Sequence, residues 1–219
     1  MTTLISSIYS GFDAIKPLPD GHGFDDALLV TDHVVDAPGW RVLVEPRDCG
    51  PRLAAKQAKC CPWLYVDDPD VLWLDGSFEV LPGLRRVVDE HLALGDLVAW
   101  KHPSGRSDAY QEAEFSLRVP QYASEPLGPQ TASYARAGYP AGSGLWEVGM
   151  LARRRTALTE SHGAQWLAQV ERWSIQDQVS FPFVCWALGV RPVEWAAASW
   201  ASCGWVRWHL HQGESWWAP

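Results

Sequence analysis

A single carboxylate at the end of an apolar run is the position in this sequence best suited to chemistry. Asp75 follows Val71-Leu72-Trp73-Leu74 and precedes Gly76. Such a run is typical of a strand buried on both faces, and ligands of open α/β sheets bind beyond the carboxyl ends of the strands. A carboxylate there can hold a divalent cation that bridges two phosphates. Asp-Gly is also a common turn dipeptide, so the pattern by itself leaves a plain turn open.

Asp177 and Gln178 form a second polar group, near the start of a helix predicted over residues 176–188. The helix dipole favours an acidic residue in this position, which gives a purely structural interpretation. Glu147 is a third candidate, because it lies inside an apolar run at 145–151 and a buried carboxylate needs a partner.

A polar segment after residue 101 carries His102, Arg106, Tyr110 and Glu112. An Arg side chain can hold a phosphate or a carboxylate with two parallel hydrogen bonds. The structural alternative is the polar face of a helix, on which Arg106 and Tyr110 are neighbours one turn apart. We expect these side chains to contact substrate.

Composition narrows the function classes. The chain of 219 residues has 18 Lys and Arg against 26 Asp and Glu, a net charge of -8, which disfavours binding to a polyanion by charge alone. The basic clusters Arg85-Arg86 and Arg153-Arg154-Arg155 are explained by solvated faces. The five Cys include no CxxC pair, which disfavours a zinc site of the usual spacing and favours free thiols in a reducing cytoplasm. We find neither a signal peptide nor an apolar stretch of about 18 residues.

The elements that must position these residues alternate along the chain. Strands are expected at 4–9, 27–31, 40–44, 71–74, 97–100 and 145–152, and helices at 51–59, after Pro82, and at 108–117, 130–137, 156–173 and 176–188. Alternation of this kind predicts an α/β fold, a single Rossmann-type domain with a central, mostly parallel sheet flanked by helices. The last 25 or so residues, rich in Trp, are left unassigned.

The candidate residues recur in an ordered set of segments. These are Tyr9-Ser10-Gly11-Phe12-Asp13, Val30-Thr31-Asp32, Arg52 with Lys56 and Lys59, Trp73-Leu74-Asp75, His102 with Arg106 and Tyr110-Gln111-Glu112, and Asp177-Gln178-Val179-Ser180-Phe181. Their order and spacing resemble a glycosyltransferase-like family catalogued as domain of unknown function 616. The strand and turn around Asp75 resemble the DxD turn of GT-A-type glycosyltransferases, above all the glycogenin-like retaining group.

The resemblance implies a GT-A-like fold and a metal-dependent transfer, with retention, of sugar from a nucleotide sugar, a UDP-sugar, to a hydroxyl acceptor. Residues 1–100 would be the nucleotide-sugar-binding half and residues 101–219 the acceptor and catalytic half. Tyr9, Asp32, Arg52 and Lys56 would contact the donor, with Asp32 near the base or ribose. His102, Arg106, Tyr110, Glu112 and Glu147 would contact substrate.

The resemblance also implies a site for Mn²⁺ or Mg²⁺ formed by Asp75, Ser77 and a late His. Ser77 departs from the DxD pattern, because a hydroxyl is a weaker ligand than the second carboxylate. His209 and His211 alternate on one strand face; His209 is favoured. Asp177 would position sugar hydroxyls, and Gln178 would offer its carbonyl oxygen to the anomeric carbon.

Several alternatives stay open. The acceptor is expected to be a glycan or a protein, with a hydroxymethylated DNA base ranked lower because the chain is acidic, although a Trp-rich tail could stack on a flipped base. A non-catalytic nucleotide- or sugar-binding module derived from a transferase is the main competitor, because of Ser77. A hydrolase or nucleotidyltransferase ranks lowest, since we find neither a Gly-rich phosphate loop nor a GxSxG elbow.

Overall fold

A seven-stranded sheet forms the centre of the protein, which a computed structural model describes over residues 1–211. Its strands are β1 Thr2–Ile8, β2 Asp26–Thr31, β3 Arg41–Val44, β4 Asp70–Leu74, β6 Leu97–Lys101, β7 Trp146–Arg154 and β8 Val193–Glu194. A second, two-stranded sheet pairs β5 Phe78–Val80 with β9 Val206–Trp208. The strand order of the large sheet is β3-β2-β1-β4-β7-β6-β8.

The direction of β7 decides where the strand ends meet. Strands β1, β2, β3 and β4 are parallel to one another, whereas β7 runs antiparallel between β4 and β6. Because two reversals cancel, β4 and β6 point the same way, and their carboxyl ends lie at one edge of the sheet. The expectation of a mostly parallel sheet flanked by helices is confirmed, with β7 as the strand that departs from it.

Within residues 1–211, six α-helices surround the sheet: α1 Pro51–Cys60, α2 Leu84–Leu92, α3 Ala109–Ser116, α4 Leu127–Arg136, α5 Ala157–Arg172 and α6 Asp177–Ala187. Their starts follow local chemistry. Pro51 occupies the first turn of α1, where its missing N–H is tolerated. The Asp108 carboxylate accepts the backbone N–H groups of Tyr110 and Gln111 at 3.0 Å each and so caps α3.

Two apolar cores lie on the two faces of the sheet. Alternation along β1 directs Ile5 into one and Leu4 into the other. The first core packs the sheet against α1, α5 and α6, and the second packs it against α2 and the late aromatic residues. Trp195, Trp200, Trp205 and Trp208 belong to the second core, which gives them a structural role. Trp216 and Trp217 of the Trp-rich tail lie outside the described residues.

Among residues 1–211, no helix is both long and apolar enough to cross a membrane.

Candidate functional site

A cleft opens beyond the carboxyl ends of β1 and β4, at the edge where the sequence places Asp75. Its volume is about 150 Å³, and its charged and aromatic lining comprises Tyr9, Phe12, Asp13, Arg52, Lys56, Lys59, Trp73, Asp75, Tyr122 and His211. Gly76 sits where space is tight: a Cβ there would lie 2.8 Å from a side-chain carbon of Ile8 and 2.9 Å from Asp13 Oδ2. The glycine therefore lets the loop after β1 close against the turn after β4.

Lys59 links the two carboxylates singled out in the sequence. Its Nζ lies 3.1 Å from Asp75 Oδ1 and 2.8 Å from Asp177 Oδ2, and it is 1% exposed. Lys56 Nζ makes a second contact, 2.7 Å from the same oxygen of Asp177. Because α1 carries Lys56 and Lys59 three residues apart, both side chains leave the same face of the helix.

The charges of this cluster hold one another ionised. Burial would lower the pKa of Lys59, but Asp177 and Asp75 outweigh it, so its pKa is raised. Burial would raise the pKa of Asp177, but Lys56 and Lys59 outweigh it, so its pKa is lowered. Asp177 is thus a buried carboxylate neutralised by two lysines.

The position of Lys59 depends on a buried guanidinium at the end of α1. Arg153 is fully buried; its Nη1 donates to the Cys60 carbonyl at 2.8 Å and its Nη2 to the Lys59 carbonyl. Burial lowers its pKa to about 10. A Cβ on Gly163 of α5 would come within 2.2 Å of the same Cys60 carbonyl, so α1 and α5 touch backbone to backbone. The interpretation of Arg153 as part of a solvated cluster was wrong, because β7 turns it into the core.

A second polar cluster surrounds Glu112, which is 1% exposed. Its Oε2 accepts from Arg106 Nε at 2.6 Å, and its Oε1 accepts from Gln178 Nε2 at 3.3 Å and Gln176 Nε2 at 3.2 Å. Arg106 Nη2 lies 3.3 Å from His102 Nε2. The structure therefore brings His102, Arg106 and Glu112 together with the residue next to Asp177.

Tyr110 lies away from both clusters. Its hydroxyl donates to the Tyr139 carbonyl at 2.6 Å, and its ring packs against a small core between α3 and α4.

Glu147 is a carboxyl group near Asp75. It stands two residues before Gly149, whose carbonyl accepts the Asp75 backbone N–H at 2.8 Å. Burial raises the pKa of Glu147 to about 8, and the charge of Asp75 adds to the shift, while a hydrogen bond with Trp200 opposes it. A protonated carboxyl group can donate a hydrogen bond beside an ionised one.

Two of the predicted metal ligands do not face the cleft. Ser77 is 3% exposed, and its carbonyl accepts the His209 N–H at 2.8 Å. The His209 ring is 2.8 Å from Glu79 Oε2. His211 lines the cleft instead, with Nδ1 at 2.7 Å from Asp13 Oδ1. Over residues 1–211, no three His, Cys, Asp or Glu side chains are arranged to hold a metal ion.

Asp75 itself fits a metal ligand. Trp73 Nε1 donates to its Oδ1 at 2.6 Å and Lys59 approaches the same oxygen, so Oδ2 is the atom available to a ligand. Mg²⁺ is commonly bound in this way, by one or two carboxylates with the remaining positions filled by substrate phosphates and water.

Three of the four residues predicted to contact the donor line the cleft, and the fourth does not. Tyr9, Arg52 and Lys56 line the cleft with Asp75. Asp32 is engaged elsewhere: its Oδ2 accepts the Ser10 backbone N–H at 2.9 Å and holds Ser10 at a φ of 55°, a left-handed conformation.

Gln121 and Tyr122 form a wall of the cleft that was not predicted from the sequence. The Arg52 guanidinium lies 4.8 Å from the centre of the Tyr122 ring and donates to the Gln121 carbonyl at 3.1 Å. Burial raises the pKa of the Tyr122 phenol. No spacing pattern in the polar segment around residue 120 marks these two residues.

Comparison with known proteins identifies solved structures of similar fold. No protein-family model matches the chain, and no curated protein matches it. Among solved structures, the apo structure of the bifunctional glycosyltransferase WbbM matches with a TM-score of 0.51 and 12% identity over 88% of this chain. The apo form of mouse xyloside xylosyltransferase 1 matches with a TM-score of 0.41 and 9% identity over 88% of this chain and 85% of that one.

This chain spans 38% of the matched WbbM chain. At 12% identity the likeness concerns the fold, and residue roles must be argued from the site. The chain therefore has a glycosyltransferase-like α/β fold of the GT-A type.

Proposed function

We propose that this protein is a metal-dependent glycosyltransferase that moves a sugar from a nucleotide sugar to a hydroxyl acceptor. The observation that carries the proposal is the cleft in which Asp75, Lys56 and Arg52 meet at the carboxyl end of β4. A leaving nucleoside diphosphate needs its negative charge neutralised, and a metal with two cationic side chains does this. The fold shared with WbbM adds support.

The donor would lie along α1. Arg52 and Lys56 are four residues apart on the lining face of α1, so both can reach one diphosphate. Tyr9 bounds the cleft on the β1 side. We propose a UDP-sugar as donor, with Asp32 acting on the base side through the Ser10 loop that it holds.

A bound Mn²⁺ or Mg²⁺ would supply Lewis-acid stabilisation of the leaving diphosphate. Asp75 Oδ2 is the protein ligand that the contacts support best. His211 is the late histidine at the cleft, and we propose it in preference to His209. Ser77 would have to turn out of its buried position to take part.

We propose that Asp177 and Gln178 act at the sugar, although neither is among the residues that line the Asp75 cleft. The Asp177 carboxylate is tied to two lysines, which suits a fixed electrostatic and positioning role better than attack on carbon. Glu112 anchors Nε2 of Gln178, so the amide oxygen is the free acceptor end of that side chain. Such an oxygen could stabilise positive charge on the anomeric carbon. We propose retention from the resemblance of the sequence to the glycogenin-like retaining group.

The test uses purified full-length protein, Mn²⁺ and a panel of nucleotide sugars. We expect nucleotide binding that requires the metal, together with slow hydrolysis of one donor, and both should be lost in Asp75→Asn. Asp67→Asn, which changes an exposed carboxylate outside the cleft, is the matched control. If no nucleotide binds with or without metal, the proposal fails.

A non-catalytic nucleotide-binding module is the second candidate. It is favoured by the burial of Ser77 and by the lack of a three-ligand group among residues 1–211. Metal-independent UDP binding without donor hydrolysis or transfer to any acceptor would support it over the transferase.

A further inference from the structure

A second, larger cavity opens at the same edge of the sheet, beyond the carboxyl end of β6. Its volume is about 660 Å³, within the range of small-molecule binding sites. The end of β6, the loop at 142–145, the end of α6 and the segment at 190–194 form its walls. We call it the β6 groove.

Positive charge concentrates in the β6 groove. Lys101, Arg106 and Arg191 line it, against one carboxylate, Glu194, although the whole chain has a net charge of -8. Lys101 and Arg191 are exposed, and in the part of the chain that the structure describes neither forms an ion pair. Cations that are left without partners inside a concave surface attract an anionic ligand.

One exposed tryptophan gives the β6 groove a flat apolar surface. Trp186 is 38% exposed, whereas Trp146, which also lines the groove, is 6% exposed. A Cβ on Gly144, whose φ is 102°, would meet the Trp146 ring at 2.5 Å, so the glycine allows the loop to lie against the indole. Flat aromatic faces next to polar groups suit the ring of a sugar.

Hydrogen bonds connect the β6 groove to Gln178, the residue after Asp177. Arg106 lines the groove and donates to Glu112, which also accepts from Gln178. Gln178 follows Asp177, the carboxylate held by the cleft lysines. Gln178, which is proposed to act on the donor sugar, is therefore two hydrogen bonds away from Arg106 of the groove.

We propose that the β6 groove is the acceptor subsite and that it selects acceptors bearing an anionic group, a carboxylate or a phosphate on a sugar. The role of the groove as an acceptor subsite rests on the proposed transferase function, whereas its binding of an anionic saccharide does not. Lys101 and Arg191 contact the anion, Arg106 fixes its depth, and Trp186 packs on the sugar ring.

The test measures binding of two matched ligand pairs to the full chain by calorimetry: cellobiouronic acid against cellobiose, and glucose 6-phosphate against glucose. We expect the acid of at least one pair to bind 10-fold or more tightly than its neutral partner. Preference for the uronic acid assigns a carboxylate, and preference for the phosphate assigns a phosphorylated acceptor. Equal binding within both pairs overturns the proposal.

Charge reversal locates the site. Lys101→Glu combined with Arg191→Glu should abolish the preference for the acid, while Arg136→Glu, on an exposed position of α4 outside the groove, should keep it. An unchanged preference in the double variant contradicts the assignment. UDP titrated into the same samples tests the proposed transferase function separately. If that proposal is wrong, the wild type does not bind UDP, whether or not the β6 groove binds an anionic saccharide.

Discussion

The Asp75 cleft and the β6 groove lie at one edge of the sheet, but they differ in whether their charged side chains are buried and paired. Lys59, which lines the cleft, and its partner Asp177 are almost completely buried and neutralise each other. In the groove, Lys101 and Arg191 are exposed and unpaired in the described part of the chain. A buried pair is costly to break and is screened little by salt, whereas exposed charges contribute little to stability and are easily screened. The difference suits fixed chemistry in the cleft and recognition in the groove.

Removing the buried carboxylate should have the largest effect. Asp177→Asn leaves Lys56 and Lys59 facing a neutral amide in a buried site. Breaking a buried pair in this way costs about 3–5 kcal/mol, so Tm should fall by about 6–20 °C in thermal unfolding. Asp67→Asn, on an exposed carboxylate, should leave Tm unchanged. A loss below about 1 kcal/mol would mean that the lysine cluster is solvated and the contrast between the two regions is false.

The contact between α1 and α5 should show the next largest effect. Gly163→Ala places a Cβ against the Cys60 carbonyl and must displace the end of α1, at a cost of about 1–3 kcal/mol. Because Lys59 is in that turn, UDP affinity should fall as well. Gly128→Ala, in α4 with open space around the Cβ, is the matched control and should stabilise by about 0.4–1 kcal/mol. Equal effects of the two substitutions on chemical unfolding would refute the positioning role of this contact.

The pH dependence of stability should report on His102 at the border of the β6 groove. Burial, and then the charge of Arg106, lower the pKa of His102 to about 4. Between pH 6.5 and 4 the unfolded chain binds a proton that the native state does not, so stability falls as the pH falls, by at most about 1.4 kcal/mol per pH unit from this group. His102→Gln should therefore lose less stability between pH 7 and 4.5 than the wild type. Parallel Tm curves for the two proteins over that range would contradict the assigned environment.

The smallest effect is expected from the exposed groove cations. Lys101→Glu with Arg191→Glu should change the free energy of unfolding by no more than about 0.5 kcal/mol, because neither side chain forms an ion pair within residues 1–211. Urea unfolding of the double variant beside the wild type checks this. A loss of 2 kcal/mol or more would show that these cations stabilise the fold, and the groove would no longer differ from the cleft.

Features set by residues close together in the sequence could be predicted. The apolar run before Asp75 predicted the strand end at the cleft, and the family resemblance singled out Arg52, Lys56 and Lys59, which α1 places along the cleft. Contacts between residues far apart in the sequence could not be predicted. Lys56 meets Asp177 at a separation of 121 residues, and Arg153 became buried because β7 inserts between β4 and β6. Tyr122 joined the cleft through a short turn that has no periodic pattern to identify it.

A crystal structure of the protein with UDP and Mn²⁺ would show whether the Asp75 cleft is the donor site. We expect the diphosphate between Arg52 and Lys56 and the metal on Asp75 Oδ2, with the His211 side chain at the same site. Nucleotide bound away from the Asp75 cleft, or a metal ion that makes no contact with Asp75, would contradict this expectation.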